Sequence, residues 1–127
     1  MSSATTKGIR VEVESQYLEE RSAPAEDYFF FAYHVRIINR GEEPAQLMSR
    51  HWVITDAEGR EEEVRGPGVV GERPILKPGG AYEYTSYCPL TTEVGSMHGS
   101  YRMVTASGSQ FEAEIPAFTL AVPHAVN

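Results

Sequence analysis

The stretch that decides the fold reads Tyr28-Phe29-Phe30-Phe31-Ala32-Tyr33-His34-Val35-Arg36-Ile37-Ile38. It is dense in aromatic and β-branched residues, which pack well on a pleated sheet. Successive side chains of a strand point to opposite faces, so one face of this stretch is apolar throughout, and the other becomes polar at His34 and Arg36. The pattern predicts a long strand that crosses the core and ends at the turn residues Asn39-Arg40-Gly41. Its apolar face consists of Phe29, Phe31, Tyr33, Val35 and Ile37.

Shorter stretches on both sides repeat the strand pattern, and turn residues separate them. We predict strands at residues 9–13, 47–55, 60–65, 81–87, 99–105 and 109–115, and a final apolar strand containing Phe118, Leu120 and Val122. No window has the apolar spacing of an amphipathic helix. The sequence therefore predicts an all-β fold, an antiparallel β-sandwich of about seven or eight short strands.

Length and composition predict a single domain spanning residues 1–127. A chain of 127 residues with 41% apolar and 23% charged residues is of ordinary globular type. No internal repeat and no linker divides it. Residues 1–8 and 124–127 lack a strand pattern at the two ends, so we expect these segments to be flexible.

The charge balance limits the classes of partner that the chain is expected to bind. The chain has 11 Lys and Arg against 18 Asp and Glu, a formal net charge of −7. Because nucleic-acid affinity comes largely from neutralising phosphates, we expect no nucleic-acid partner. No apolar stretch approaches the ~20 residues that span a bilayer, and the N-terminal residues lack the apolar core of a signal peptide. The single cysteine, Cys88, rules out an internal disulfide, so we expect a protein of the cytoplasm, without membrane association.

A glycine-rich segment, Gly66-Pro67-Gly68-Val69-Val70-Gly71, matches the letters of the dinucleotide-binding fingerprint. That fingerprint requires a helix to begin at the glycines, so that its N-terminal N–H groups meet the pyrophosphate. Here Pro74 and Pro78 follow closely, and neither belongs in a helix interior. A P-loop is excluded too, because Gly71 precedes Glu72 and Arg73 instead of Lys and Ser or Thr.

One structural role and two binding roles remain for this segment. The glycines can simply provide positive φ angles in a tight connection between strands. Alternatively, the segment presents Val69 and Val70 to a protein partner, as apolar loops on rigid sandwiches often do. A further alternative is an anion nest for pyrophosphate or nucleotide phosphates, formed by the N–H groups of the loop. The residues of that nest would be Gly66, Gly68 and Gly71, with Arg65 and Arg73 beside them.

Arg50-His51-Trp52 is a second candidate for recognition. On a strand, Arg50 and Trp52 share one face, and His51 lies on the other. Trp52 is expected to anchor the core, which places Arg50 near the sheet margin, paired or stacked. If that face is exposed instead, Arg50 and Trp52 have the composition of a binding hot spot.

The sequence contains no recognisable catalytic or metal-binding set. His34, His51 and His98 do not form a short-spaced ligand pair with each other or with Cys88. Cys88 precedes Pro89 at a strand end, without a helix N-terminus to lower its pKa, so we expect a buried, inert thiol. The serines lack a nucleophile-elbow setting. We therefore predict a protein that is not an enzyme and needs no metal and no cofactor.

Read in order, several segments resemble the bacterial ApaG family. The resemblance covers residues 7–122 and departs from the family pattern at Tyr87, where glycine is usual. The matching segments are Ser49-Arg50-His51-Trp52-Val53-Ile54-Thr55-Asp56, Val64-Arg65-Gly66-Pro67-Gly68-Val69-Val70-Gly71-Glu72-Arg73-Pro74, Leu76-Lys77-Pro78-Gly79, Tyr82-Glu83-Tyr84-Thr85-Ser86, Cys88-Pro89-Leu90, Gly95-Ser96-Met97-His98-Gly99-Ser100-Tyr101 and Ile115-Pro116-Ala117-Phe118.

The resemblance implies a fibronectin type III/immunoglobulin-like sandwich without an established enzymatic activity. Similar domains occur attached to eukaryotic F-box proteins, which suggests recognition of an unidentified protein partner. The resemblance also implies a loose link to cobalt and magnesium homeostasis, and its glycine loop has prompted pyrophosphate and nucleotide proposals. The free outer strands of a sandwich leave open whether the chain is a monomer or an edge-paired homodimer.

Overall fold

A computed structural model describes residues 1–126, with side-chain surroundings up to residue 124. Nine strands account for most of the chain, and the other regular segments are short 3₁₀ turns. The strands are β1 (Ser2–Thr6), β2 (Ile9–Tyr17), β3 (Phe29–Asn39), β4 (Ala45–Asp56), β5 (Glu61–Pro67), β6 (Ile75–Leu76), β7 (Ala81–Leu90), β8 (Val94–Thr105) and β9 (Gln110–Ala121). The 3₁₀ turns are Glu19–Arg21, Pro24–Glu26 and Pro123–Val126. No helix among the described residues is long and apolar enough to cross a membrane.

The strands form two sheets in which every pairing is antiparallel. One sheet has the order β1-β2-β3-β7, and the other has the order β5-β4-β8-β9, with β6 also paired to β4. The apolar faces of both sheets contribute to one buried core. The predicted antiparallel β-sandwich is confirmed.

Strand β3 is an inner strand of its sheet, between β2 and β7, and it crosses the core as the aromatic stretch predicts. Its residues Phe29, Phe31, Tyr33, Val35 and Ile37 are all buried. On the opposite face, His34 bonds to β7 by two contacts, 3.0 Å to Thr85 Oγ1 and 2.8 Å to Glu83 Oε1. The alternation of apolar and polar residues therefore sets which face of the sheet meets the core.

Two predictions about strand limits are wrong. Residues 2–6, expected to be flexible, form β1 and pair in register with β2, from Ser2 opposite Val13 to Thr6 opposite Ile9. The strands predicted at residues 109–115 and around Phe118 are one continuous strand, β9. Pro116 does not interrupt it, because β9 is an outer strand, where a missing N–H costs no ladder bond on the free side. At the other end, residue 127 lies outside the described residues.

Candidate functional site

The glycine-rich segment connects β5 to β6 through a tight turn. The N–H of Val69 donates to the carbonyl of Glu72, and the N–H of Glu72 donates to the carbonyl of Val69, each at 2.8 Å. The two residues between them have positive φ angles, +42° at Val70 and +82° at Gly71. Positive φ at both central residues is the requirement of a type I′ hairpin turn. The segment is thus a miniature hairpin with Val70 and Gly71 at its tip.

The two valines have opposite surroundings. Val69 is fully buried in the core, whereas the side chain of Val70 is 56% exposed. The prediction that both valines face a partner is therefore wrong for Val69. The N–H and the carbonyl of Val69 both bond to Glu72. This pairing fixes the backbone of Val69 in the orientation that turns its side chain inward. Only Val70 of the pair is available to a partner.

The three glycines of the motif differ in backbone conformation and in the space around them. At Gly68 (φ +58°) a Cβ would overlap the carbonyl oxygen of Glu72, and at Gly71 (φ +82°) there is open space but a left-handed backbone. Gly66 has no positive φ, and a Cβ there would lie 2.9 Å from the Arg50 guanidinium. The prediction that glycines supply positive φ holds for two of the three, and the first provides room for an arginine.

Arg50 holds the segment in place. Its Nη1 donates to the carbonyl of Pro67 at 2.9 Å and to the carbonyl of Gly68 at 3.0 Å. It is half-buried between Gly66 of β5 and Tyr101 of β8, so the predicted position near the sheet margin is wrong. A hydrogen bond from a charged donor is stronger than one between neutral groups. The two bonds from Arg50 therefore fix the loop against β4. Sequence spacing could not reveal it, since the partners are 17 and 18 residues away.

Trp52 is a core residue and not part of a surface. Its side chain is 2% exposed and meets the rings of Tyr33, Tyr101 and Phe118 edge-on, at centroid distances of 5.2, 6.4 and 5.9 Å. The alternative in which Arg50 and Trp52 form an exposed hot spot is wrong for Trp52. The indole N–H has no hydrogen-bond partner among the described residues. The surrounding ring faces are weak acceptors for such a donor.

Below Arg50 lies a cluster of buried tyrosines that the sequence did not reveal. The hydroxyls of Tyr84 on β7 and Tyr101 on β8 bond to each other across the two sheets. Burial raises the pKa of Tyr33, Tyr84 and Tyr101, and the Arg50 charge opposes that rise only partly. All three remain protonated near neutral pH, and the bond between Tyr84 and Tyr101 links the two sheets through the core. Alternation along residues 81–87 places Tyr82 and Tyr84 on one face of a strand but does not show which residue Tyr84 contacts.

The remaining polar groups of the loop region are largely engaged. The N–H of Gly68 donates to the carbonyl of Met48 at 2.9 Å, so this amide, like those of Val69 and Glu72, is bound inside the protein. Arg65 lies 3.4 Å from Glu63. The side chain of Arg73 is exposed, and its carbonyl accepts from Gln46 Nε2 at 3.1 Å. Of the hairpin, the amides of Val70 and Gly71 at the tip make no hydrogen bond within residues 1–126.

His34 lies in a different sheet from His51 and His98, and His98 on β8 stands opposite Val53, two residues from His51 on β4. His34 is on the outer face of the sheet that contains β3, whereas His51 on β4 bonds Glu63 Oε1 at 2.7 Å, in the other sheet. This bond is the main cause that lowers the pKa of Glu63. Within the part of the chain that the structure describes, no group of three or more His, Cys, Asp and Glu side chains is placed to hold a metal ion.

Comparison with known proteins decides the family. A family model described as the ApaG domain matches residues 19–105. The protein named ApaG from Rhodospirillum centenum is 60% identical over 124 residues, which cover 98% of this chain and 95% of that protein. The chain belongs to the ApaG family. Protein ApaG of Pseudomonas aeruginosa is 54% identical over 125 residues, covering 98% of this chain and 99% of the relative.

Solved structures agree with this ApaG assignment. The crystal structure of a putative ApaA protein from Bordetella pertussis matches with a TM-score of 0.90 and 50% identity, over 92% of this chain and 95% of that one. The C-terminal domain of wzt has a TM-score of 0.56 at 9% identity, over 95% of this chain and 77% of that domain, and shows likeness of fold alone. The names of these ApaG relatives state no enzymatic activity.

Cys88 of this ApaG chain is expected to be unreactive in the folded state. It is buried, and burial, with a smaller contribution from the Glu62 charge, raises the pKa of its thiol to about 11. At pH 8 only about one thiol in a thousand is then ionised, and the thiolate is the reactive form. We expect labelling by N-ethylmaleimide, followed by mass spectrometry, to be at least about tenfold slower than in concentrated urea. As Cys88 is the only cysteine, one added label reports on it alone. Equal labelling rates with and without urea would contradict the prediction.

Proposed function

We propose that this ApaG-family protein is a non-enzymatic protein-interaction module of the cytoplasm, with a fibronectin type III/immunoglobulin-like sandwich that presents the hairpin tip at Val70 to an unidentified protein partner. The observation that carries this proposal is the backbone of Val70. A β-branched residue at φ +42° is a conformational outlier. Glycine, asparagine or aspartate would fill the first position of a type I′ turn with less strain.

The strain at Val70 serves no visible packing purpose. Its side chain is 56% exposed, so the isopropyl group neither fills the core nor is shielded from water. Residues held in rare backbone conformations concentrate at functional sites, where the cost is tolerated for a reason other than stability. An apolar side chain held outward on a rigid turn suits a small pocket on a partner protein.

The rest of the loop supports a preformed contact. Arg50 binds the carbonyls of Pro67 and Gly68, and the buried side chain of Val69 anchors the hairpin from beneath. A loop that is already ordered loses little conformational entropy on binding, which favours affinity. Arg50 therefore contributes to recognition by positioning the loop.

A second candidate function, binding of pyrophosphate or nucleotide phosphates, is favoured by one observation. The N–H groups of Val70 and Gly71 have no acceptor within residues 1–126, and successive free amides are the donors of an anion nest. Arg65 and Arg73 flank the segment in sequence, but Glu63 bonds Arg65 and Glu72 lies beside the tip. An indirect role in cobalt or magnesium homeostasis rests on the family resemblance alone.

Replacement of Val70 tests the leading proposal. Val70→Gly relieves the backbone strain, and Val70→Asn keeps a side chain that tolerates positive φ, so both variants should retain or exceed the thermal midpoint of the parent. Both keep the main-chain N–H groups. A photo-crosslinking amino acid at position 70, activated in the bacterial cytoplasm, should yield a discrete adduct with one partner. Purified partner should then bind the parent chain and lose at least about tenfold in affinity for Val70→Gly and Val70→Asn.

A crosslinker at Ser107, on the exposed turn between β8 and β9, is the matched control position. The same adducts from positions 70 and 107 would show that the contacts are unspecific. Unchanged affinity of the two Val70 variants would refute the role of the side chain. If pyrophosphate shifts the amide signals of residues 70 and 71 equally in the parent and in Val70→Asn, the anion function is favoured instead.

A further inference from the structure

We propose that the free edge of β7 is a second recognition surface, at which an extended, basic segment of a partner protein adds a strand to the sheet β1-β2-β3-β7. This inference concerns a different surface from Val70 and does not depend on the proposed role of the hairpin tip. It rests on a difference among the outer strands of the two sheets: some are covered by neighbouring strands or protected by charge, and β7 is not.

One side of the sandwich is closed by its own outer strands. On β9, the N–H of Glu114 donates to Thr6 Oγ1 of β1 at 3.0 Å. Ser15 Oγ of β2 donates to the carbonyl of Thr119, also on β9, at 2.6 Å. These side chains satisfy main-chain groups that an outer strand would otherwise leave unpaired. Strands β1 and β9 therefore protect each other.

The opposite side of the sandwich carries the outer strands β5 and β7, and they differ sharply. Strand β5 begins with three consecutive glutamates, residues 61–63, and charge on an outer strand discourages pairing with another chain. Strand β7 is ten residues long and pairs only with β3. Among the described residues its main chain bonds to no other element. Its one charged side chain, Glu83, is occupied by His34. Pro89 blocks pairing only near the end of β7, so residues 81–88 lack the protection that β5 has.

An aromatic shelf lies next to this edge on the outer face. It consists of Tyr28, Phe30 and Tyr87, whose rings stack in sequence with centroid distances of 6.0 and 5.6 Å. Tyr87 is 50% exposed and Tyr28 is 40% exposed, while the Arg21 guanidinium lies over the Phe30 and Tyr87 rings at 4.4 and 5.2 Å and covers part of the shelf. Alternate side chains of an added strand would project over this shelf, while its main chain pairs with β7. Affinity and a preference for apolar side chains at alternate positions follow from this arrangement.

Charge selects a basic segment over a second copy of the chain. Of residues 61–63 of β5, Glu63 bonds His51 and Arg65 on the outer face of its own sheet, whereas Glu62 lies on the other face of the strand. Glu62 is near enough to Cys88 of β7 for its charge to raise the pKa of that thiol. An added strand with lysine or arginine among its inward side chains would meet the Glu62 carboxylate. A second copy would instead bring another net charge of −7 to the contact.

Model peptides test this surface directly. The probe is a capped peptide of about seven residues that alternates lysine and valine, matching the usual length of a strand. In an amide NMR titration it should shift signals of residues 82–88 and slow their hydrogen exchange. A peptide with N-methyl groups at alternate residues keeps the charge but cannot pair, and one with glutamate for lysine keeps the pairing but not the charge. Both should bind at least about tenfold more weakly.

A matched pair of protein variants completes the test. Glu62→Gln should weaken binding of the basic peptide about fivefold, whereas Glu112→Gln, on the covered side, should leave it unchanged. Equal binding of the N-methylated peptide, or no shift in β7 at millimolar peptide, would overturn the proposal. Shifts in β7 that depend on the protein's own concentration would overturn it in favour of a homodimer. Val70→Gly should bind the peptide normally, so this result is independent of the hairpin tip.

Discussion

Trp52→Ala is expected to lower the free energy of unfolding by about 3–5 kcal/mol, the range for truncating a large buried aromatic residue. The side chain is 2% exposed and contacts three aromatic rings, Tyr33, Tyr101 and Phe118, which come from both sheets. Alanine would remove the atoms that these rings pack against and leave a cavity between the sheets. Since domains are stable by only about 5–15 kcal/mol, this one change removes a large part of the total.

Urea unfolding followed by circular dichroism measures the effect, because Trp52 is the only tryptophan and its replacement removes the fluorescence signal. His51→Ala is the matched control, since His51 is the adjacent residue and its side chain bonds the exposed Glu63 on the outer face. We expect this control to lose less than about 1 kcal/mol. If Trp52→Ala also loses less than about 1 kcal/mol, Trp52 does not anchor the core.

The local sequence pattern predicted those parts of the fold in which burial follows from a residue's own size and polarity. The apolar face of β3 and the core position of Trp52 follow from alternation and size, and both are found. Strand β1 escaped prediction because Ser2-Ser3-Ala4-Thr5-Thr6 has no apolar alternation. It becomes a strand by pairing with β2 and by covering β9, which are tertiary contacts.

The geometry of the candidate sites depends on contacts between residues distant in sequence even more than the strand limits do. Composition singled out Val69 and Val70 together, but the hydrogen bonds between Val69 and Glu72 turn one valine inward and one outward. Arg50 bonds the carbonyls of Pro67 and Gly68 only because β4 pairs with β5, and no rule based on sequence spacing predicts such a contact. The uncovered edge of β7 is a property of sheet order, which appears only once all strands are placed.

Gly68→Ala is expected to destabilise the protein by about 2–5 kcal/mol. Two costs combine: about 1–2 kcal/mol for a Cβ in the left-handed region and about 1–3 kcal/mol for forcing an extra carbon into filled space. The second cost arises because the new Cβ would overlap the carbonyl oxygen of Glu72, which is main chain and also accepts the N–H of Val69. The hairpin must open to relieve the overlap, and the buried Val69 side chain moves with it.

Gly71→Ala separates the two costs. Gly71 has a positive φ of +82°, but a Cβ there meets nothing within 4 Å, so alanine should lose only about 1–2 kcal/mol. The difference between the two variants in urea unfolding therefore isolates the overlap with Glu72. Because Val70 remains exposed in Gly71→Ala, this variant should still bind a partner of the hairpin tip, whereas Gly68→Ala should not. Equal losses for both variants would mean that the backbone at Gly68 shifts freely, and the hairpin would then not be the preformed contact that recognition by Val70 requires.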